Sequence, residues 1–290
     1  MAELPGEADK GERPVLVTVE DGVALILLNR PDDLNVLSSS MIEQVSAAYR
    51  ECDDRDDVRV VVLTGAGRAF CAGADMRPEA NSFGRPQRDF SAQPFDPPAW
   101  EVRKPVIAAV NGPAIGIGFT TAMQCDIRIV ALDAKLAIPQ VRRGVMGDGG
   151  SHWTVPRFAS MGVAADVMLT GRTFLGADAL RWGLASVALP AHEVRPAALE
   201  MAREIAVHCS PVSMAMSKRL LWSGAGLART VEMETAYHRV VMGGPDASEG
   251  PRAWMERRPP QWQGTVARAW EEVRAAEEAE AEAEAEERRG

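Results

Sequence analysis

Two stretches of this sequence place small residues where a ligand can meet bare backbone. GRAFCAGADM, from Gly67 to Met76, follows the apolar run VRVVVL, and NGPAIGIG, from Asn111 to Gly118, follows PVIAAV. Small residues permit close approach, and a turn or helix start leaves peptide N–H groups without partners. Two such turns aimed at one oxygen form an oxyanion hole, which stabilises the enolate made when a thioester is attacked or loses an α-proton. Other uses of the glycines fit less well. Gly65-Ala-Gly67 and Gly116-Ile-Gly118 lack the third glycine of a dinucleotide fingerprint, since Phe70 and Thr121 stand in its place. Neither a GxxxxGK[ST] phosphate loop nor a GxSxG nucleophile elbow is present. Cys71, beside Gly73, has no histidine near it in sequence, and an inert buried cysteine is the commoner case.

The elements that must hold these turns are legible from pattern. Val15–Val19 and Val23–Leu28, separated by Glu20-Asp21-Gly22, read as a β-hairpin. Ser40 and Glu43 have capping-box spacing before Val45, Ala48 and Tyr49 at helical period. Val58–Leu63 is nearly continuous in β-branched residues, as a strand buried on both faces should be. The irregular segment Arg77 to Pro98 reads as a loop of lid type. Pro105–Val110, a helix near Phe119–Cys125 and the strand Asp126–Ala131 then repeat the order strand, glycine turn, helix, strand. After Leu189-Pro190 four helices are expected, near 192–209, 212–222, 227–242 and 246–257. The Ala/Glu/Arg-rich segment after Trp262 lacks a sustained apolar stripe and reads as a solvated appendage.

Composition narrows the class. The chain has 290 residues and a net charge of -9, of which the last twenty residues, with nine Glu and three Arg, carry -6, leaving -3 for the body. A near-neutral body argues against nucleic-acid binding. The absence of an N-terminal apolar segment and of a membrane-length run points to a cytoplasmic protein without a membrane anchor. Cys52, Cys71, Cys125 and Cys209 show no metal-binding or disulfide spacing, and no metal is expected.

Taken in order, NRPDDLNVLSSSM, VRVVVLTGAGRAFCAGADM, KPVIAAVNGPAIGIGFTTAMQCDIRI, LTGRTFLGADALRWGLAS and PDASEGPRAWMERRPPQW resemble the crotonase family, the enoyl-CoA hydratase/isomerase superfamily, over Pro14 to Trp262. The resemblance implies an α/β fold, a ClpP-like spiral of repeated ββα units with a C-terminal helical oligomerisation region. It divides the chain into an extension (1–13), an α/β core (14–190), a helical region (191–263) and an acidic tail (264–290). It also implies a homotrimer or hexamer acting on an acyl-CoA, with coenzyme A as part of the substrate and no separate cofactor.

Position by position, the resemblance makes the backbone N–H groups of Ala74 and Ile117 the oxyanion donors, with Ala72 and Gly116 beside them at the substrate. Ile117 replaces a usual glycine, which keeps the donor and could narrow the pocket. Ala74, Asp75, Met76 and Arg77 correspond to the segment lining the adenine, with Asp75 structural rather than catalytic. Arg30 and the pair Arg257 and Arg258 lie in segments that approach the coenzyme phosphates in relatives, although solvated surface arginine is the simpler reading of any one. The two glutamates of the hydratases are here Thr120 and Gln140, neither of which is basic near neutral pH. Asp148, in GVMGDGGSHW, stands where some relatives carry an acting aspartate, so a carboxylate facing an apolar acyl pocket is the expected proton shuttle. The competing reading is an aspartate in a glycine-rich turn. His152 and Trp153 follow closely, placed to line the pocket, orient Asp148 or pack a helix start. The expected activity is isomerase-like enolate chemistry; the alternatives are an enoyl-CoA hydratase and a non-catalytic acyl-CoA-binding homologue.

Overall fold

The structure, a computed structural model, describes residues 13–77 and 90–274. Strands β1 (Val15–Glu20) and β2 (Val23–Leu28) form the expected antiparallel hairpin, closed by Asp21 and Gly22 at φ 49° and 79°. Helix α1 (Ser39–Asp54) begins earlier than the capping-box spacing predicts: Ser38, not Ser40, is the cap, its hydroxyl accepting the Met41 N–H at 3.3 Å. The apolar face is unchanged, because Met41, Val45, Ala48 and Tyr49 are all buried. Strand β3 (Val60–Gly65) is fully buried and runs two residues further than the apolar run alone indicated, into the first glycine turn. Most of the candidate lid, residues 78–89, lies outside the described residues.

Next come β4 (Val106–Val110), β5 (Ala114–Ile115), α2 (Ile117–Met123), β6 (Ile127–Ala131) and β7 (Lys135–Ala137). A 3-10 turn (Pro139–Arg143) leads to α3 (Ser151–Phe158), α4 (Met161–Thr170), β8 (Phe174–Leu175), α5 (Gly176–Trp182) and β9 (Val187–Leu189). The six-stranded sheet has the order β1-β2-β3-β4-β6-β9, and β5, β7 and β8 form a second, three-stranded sheet. From β2 to β9 every neighbouring pair in the large sheet is parallel. A parallel sheet needs cover on both faces, which accounts for the Val, Ile and Ala monotony of its strands. The repeating unit is a long strand in the large sheet, a short strand in the second sheet and a helix before the return. This is the expected spiral, and its short strands escaped the sequence pattern because two or three residues carry no readable period.

The C-terminal helices α6 (Ala191–His208), α7 (Pro211–Trp222), α8 (Leu227–Gly243) and α9 (Asp246–Glu256) fall close to the expected spans. α6 lies across β3, β4 and β6, with Val194, Ala198 and Ala202 in the main core. None of the helices among the described residues is long and apolar enough to cross a membrane.

The segment after Trp262 departs from expectation. Residues 266–274 are helical, and Val266, Ala269 and Val273, at spacings of three and four, are buried. Ala269 and Val273 pack with Val212, Met216 and Tyr237 in a second apolar cluster. The stripe is only two turns long, and the Glu/Ala run behind it hides it in composition. Val273→Asp is expected to lower the melting temperature, with a loss on the order of 2–4 kcal/mol in denaturant titration, because a charge replaces a buried methyl cluster; a solvated appendage would leave both unchanged.

Candidate active site

Both glycine turns leave the same edge of the large sheet, one after β3 and the other after β4, neighbouring parallel strands. The first is clamped by two asparagines. Asn35, fully buried with φ 55°, donates to the carbonyls of Ala66 (2.9 Å) and Ala69 (2.8 Å). Asn111 accepts the Gly65 N–H at 3.2 Å and donates to the Gly67 carbonyl at 3.1 Å. Neither was singled out from the sequence, although an asparagine is among the few non-glycine residues suited to a left-handed bend.

The turns meet backbone to backbone. The Ile115 N–H donates to the Cys71 carbonyl at 3.0 Å. A Cβ on Gly118 would lie 2.2 Å from that same oxygen, and one on Gly73, at φ 118°, would lie 3.1 Å from the Ile115 carbonyl. On the outer side of the first turn, Leu37 donates to the Gly73 carbonyl (2.8 Å) and accepts the Asp75 N–H (3.0 Å). Among the described residues the intervening Ala74 N–H donates to no backbone carbonyl, and neither does Ile117 N–H, the first amide of α2. Both residues are half-buried. Ile117, half-buried, packs its side chain partly against the main core. Gly116, at φ 57° and ψ -125°, supplies the bend that only glycine takes readily. Ala72 is held by its own N–H on the Leu34 carbonyl at 3.0 Å.

Asp148 reaches this edge from the loop before α3. Thr120, one turn along α2 from Ile117, donates its hydroxyl to Asp148 Oδ1 at 2.6 Å, and Gln140 Nε2 donates to Oδ2 at 3.3 Å. Thr120 and Gln140 thus both turn to this carboxylate. Thr120 Oγ1 also lies 3.2 Å from the Ile117 carbonyl, tying the cluster to the second turn. Gly149 and Gly150, at φ 56° and 71°, let the loop pass Gln124 and Trp100. Asp148 therefore does more than stabilise its own turn. Burial pushes its carboxyl above the usual range, while Thr120, Gln140 and the neighbouring His152 pull the other way.

The remaining predicted residues divide. His152 is exposed, its ring edge passing over Gly147. Trp153 packs against other side chains, stacked at 5.6 Å on Trp222 with the Arg157 guanidinium 4.0 Å from its ring centre. Asp75 is the structural knot expected of it: Arg77 Nε donates to Oδ1 at 2.9 Å, Arg30 lies 3.8 Å away, and Arg77 above all holds its carboxyl down at about 2. Arg30, expected at a phosphate, also turns inward to Asp33 and the Val36 carbonyl. Met76 and Arg77 are exposed beside this knot. Arg258 is bound to Glu249, while Arg257 caps α9 at φ 54° with its residue exposed, apart from the Asp148 cluster. Cys71 is no nucleophile, since burial raises its thiol to about 12.

A parallel spiral with two backbone turns beside a half-buried carboxylate defines a crotonase-type α/β fold. The sequence profile of the enoyl-CoA hydratase/isomerase family matches residues 18–265. The chain belongs to that family. It is 34% identical to the enoyl-CoA hydratase ACTT3 of Alternaria alternata, over 85% of this chain and 84% of that protein. It is 32% identical to the carnitinyl-CoA dehydratase of Proteus mirabilis (strain HI4320), over 86% and 97%. Among solved structures, a "probable enoyl-CoA hydratase/isomerase" from Mycobacterium abscessus superposes with a TM-score of 0.83 at 48% identity, covering 87% of this chain and 99% of that one.

The raised carboxyl of Asp148 carries a stability consequence. An ionised Asp148 opposes folding, and the penalty is relieved as the pH falls through its raised folded pKa and the carboxyl takes a proton. Asp148→Asn is therefore expected to melt no lower than the parent near neutral pH, with any gain vanishing as the pH is lowered through that range; thermal melts across pH check the sign.

Proposed function

We propose that the protein catalyses proton transfer on an acyl-CoA thioester, moving a double bond by way of an enolate. The Ala74 and Ile117 amides receive the thioester oxygen, and Asp148 removes a proton from one carbon and returns it to another. The observation that carries this reading is the Asp148 carboxylate, held by Thr120 and Gln140 within one helical turn of the Ile117 amide. The direction of its pKa, raised by burial, suits the task, because a carboxyl that holds its proton more readily is a better acid after it takes the proton. One carboxylate suffices for isomerisation, since the proton removed is the proton delivered. On this reading the coenzyme runs along Ala72, Met76 and Arg77, with Arg257 as an outer contact for its phosphates.

Hydration or dehydration is the second reading, favoured by the names of the relatives above. It requires Asp148 alone to activate water, as Thr120 and Gln140 offer no basic oxygen. Two substrates separate the readings. A 3-enoyl-CoA gains conjugation absorbance on isomerisation, whereas crotonyl-CoA loses it on hydration. Isomerisation of 3-hexenoyl-CoA is expected to exceed hydration of crotonyl-CoA, and Asp148→Asn to lower it by about 100-fold or more. Undiminished turnover of that variant removes the assignment.

The helical region supports an oligomer. Leu221, Leu227, Met242 and Trp254 are 73%, 82%, 73% and 82% exposed, more large apolar surface than α7, α8 and α9 would leave to water as a lone subunit. Sedimentation equilibrium is expected to give a trimer or hexamer, and Leu227→Glu combined with Trp254→Glu to shift it towards smaller species; a monomeric parent refutes this.

A further inference from the structure

The Asp148 cluster is asymmetric in a way that the proton-transfer reading does not require. Oδ1 receives a short bond from the Thr120 hydroxyl, 2.6 Å, whereas Oδ2 receives a longer one from the Gln140 amide, 3.3 Å. Gln140 is 7% exposed, and its Oε1 is buried without a hydrogen-bond partner among the described residues. An amide with one end on a carboxylate and the other end idle is a costly arrangement in the interior unless both ends are used at different times.

We propose that Thr120 and Gln140 are positioning residues of different kinds: Thr120 pins Oδ1, so that Oδ2 is the oxygen that exchanges the proton, and Gln140 serves Oδ2 in both of its states. The inference rests on Asp148 being the proton carrier. With Asp148 ionised, Gln140 Nε2 donates to Oδ2. When the substrate C–H bond breaks, its electron pair enters the enolate, with the charge on the thioester oxygen, and the proton goes to Oδ2. A half-turn of the Gln140 amide then offers Oε1 as acceptor for the new O–H. Delivery of the same proton to the γ-carbon restores the carboxylate and the original amide orientation. Thr120 need not move, because Oδ1 accepts its hydroxyl whether or not Oδ2 carries a proton. Thr120 Oγ1 lies 3.2 Å from the Ile117 carbonyl, which places it beside the second turn.

Among the described residues the charged groups facing Asp148 are few. α2 presents the neutral Thr120 and Gln124, the 3-10 turn presents Gln140 while its Arg142 is turned to the Thr170 carbonyl, and α3 presents His152. His152 is therefore the titrating neighbour to control for.

The test is the pH dependence of kcat/KM for 3-hexenoyl-CoA, with α-proton exchange of butyryl-CoA in D2O as a second readout. Thr120→Val and Gln140→Leu each remove a donor to the carboxylate, so the acidic limb moves to higher pH, further for Thr120→Val. Below the parent's limb, Thr120→Val loses roughly tenfold or more in kcat/KM, while Thr120→Ser stays within about threefold and restores the limb. Gln140→Leu slows exchange and isomerisation together with KM little changed. Thr120→Ala replaces Thr120→Val if the valine variant does not fold. Folded variants with an unmoved limb, alongside an inactive Asp148→Asn, overturn the proposal and leave the assignment of Asp148 intact. Loss of the limb in His152→Gln assigns it to the histidine and also overturns the proposal. An active Asp148→Asn instead removes the reading on which it rests.

Discussion

The close approach of two main-chain segments governs this molecule. The helix following the second glycine turn lies so near Cys71 that a single methyl group on Gly118 would sit 2.2 Å from a carbonyl oxygen. No side-chain adjustment relieves a clash with backbone, so the glycine is a geometric necessity rather than a concession to flexibility. The contact joins the segments that carry the Ala74 and Ile117 amides, and the groups beside each are already bonded: Leu37 on both sides of Ala74, and Gly116 to the Ala137 carbonyl. Among the described residues these two amides themselves donate to no backbone carbonyl.

The sheet sets up this contact before any site residue acts. β3 and β4 are adjacent and parallel, so the loops that follow them emerge side by side at the strand C-termini, where ligands of parallel α/β sheets collect. Asn35 and Asn111 then stop the first loop from swinging away, each using one side-chain amide to bind two main-chain groups of it. Partial burial of the carboxylate at the same edge works against its ionised form and so against stability. The two donors on Asp148 temper that effect without removing it, as the direction of its pKa shows.

The large elements were legible because their patterns are long. The hairpin, α1, the Val-rich strand and the four C-terminal helices each carry several turns or several alternations. The glycine turns were legible for a different reason, their compositional oddity next to apolar strands. What composition could not disclose was pairing at a distance. Nothing in the local sequence of Thr120 or Gln140 says that both donate to Asp148, and nothing around Arg30 says that Asp75 draws it inward. Nor could the two-turn apolar stripe of 266–274 be told from the Glu/Ala run that follows it. Position within the family motifs pointed to Asp148; in the fold its loop, 28 residues downstream, reaches the side chain of Thr120.

Ile117 shows how such a site tolerates change. A residue at the first position of a helix contributes an amide without an internal acceptor, whatever its side chain. In a turn made only of small residues, that amide would be free to rock with the bend at Gly116. Here the isoleucine side chain is buried against the core on one side, and the peptide plane is thereby tied to the packing of the sheet. Thr121, four residues along, donates its hydroxyl to the Ile117 carbonyl at 2.6 Å, and Thr120 approaches the same oxygen. The donor is thus held by its own side chain and by its own carbonyl. A bulky residue at this position, partly buried against the core, gives rigidity to the main chain at the start of the helix.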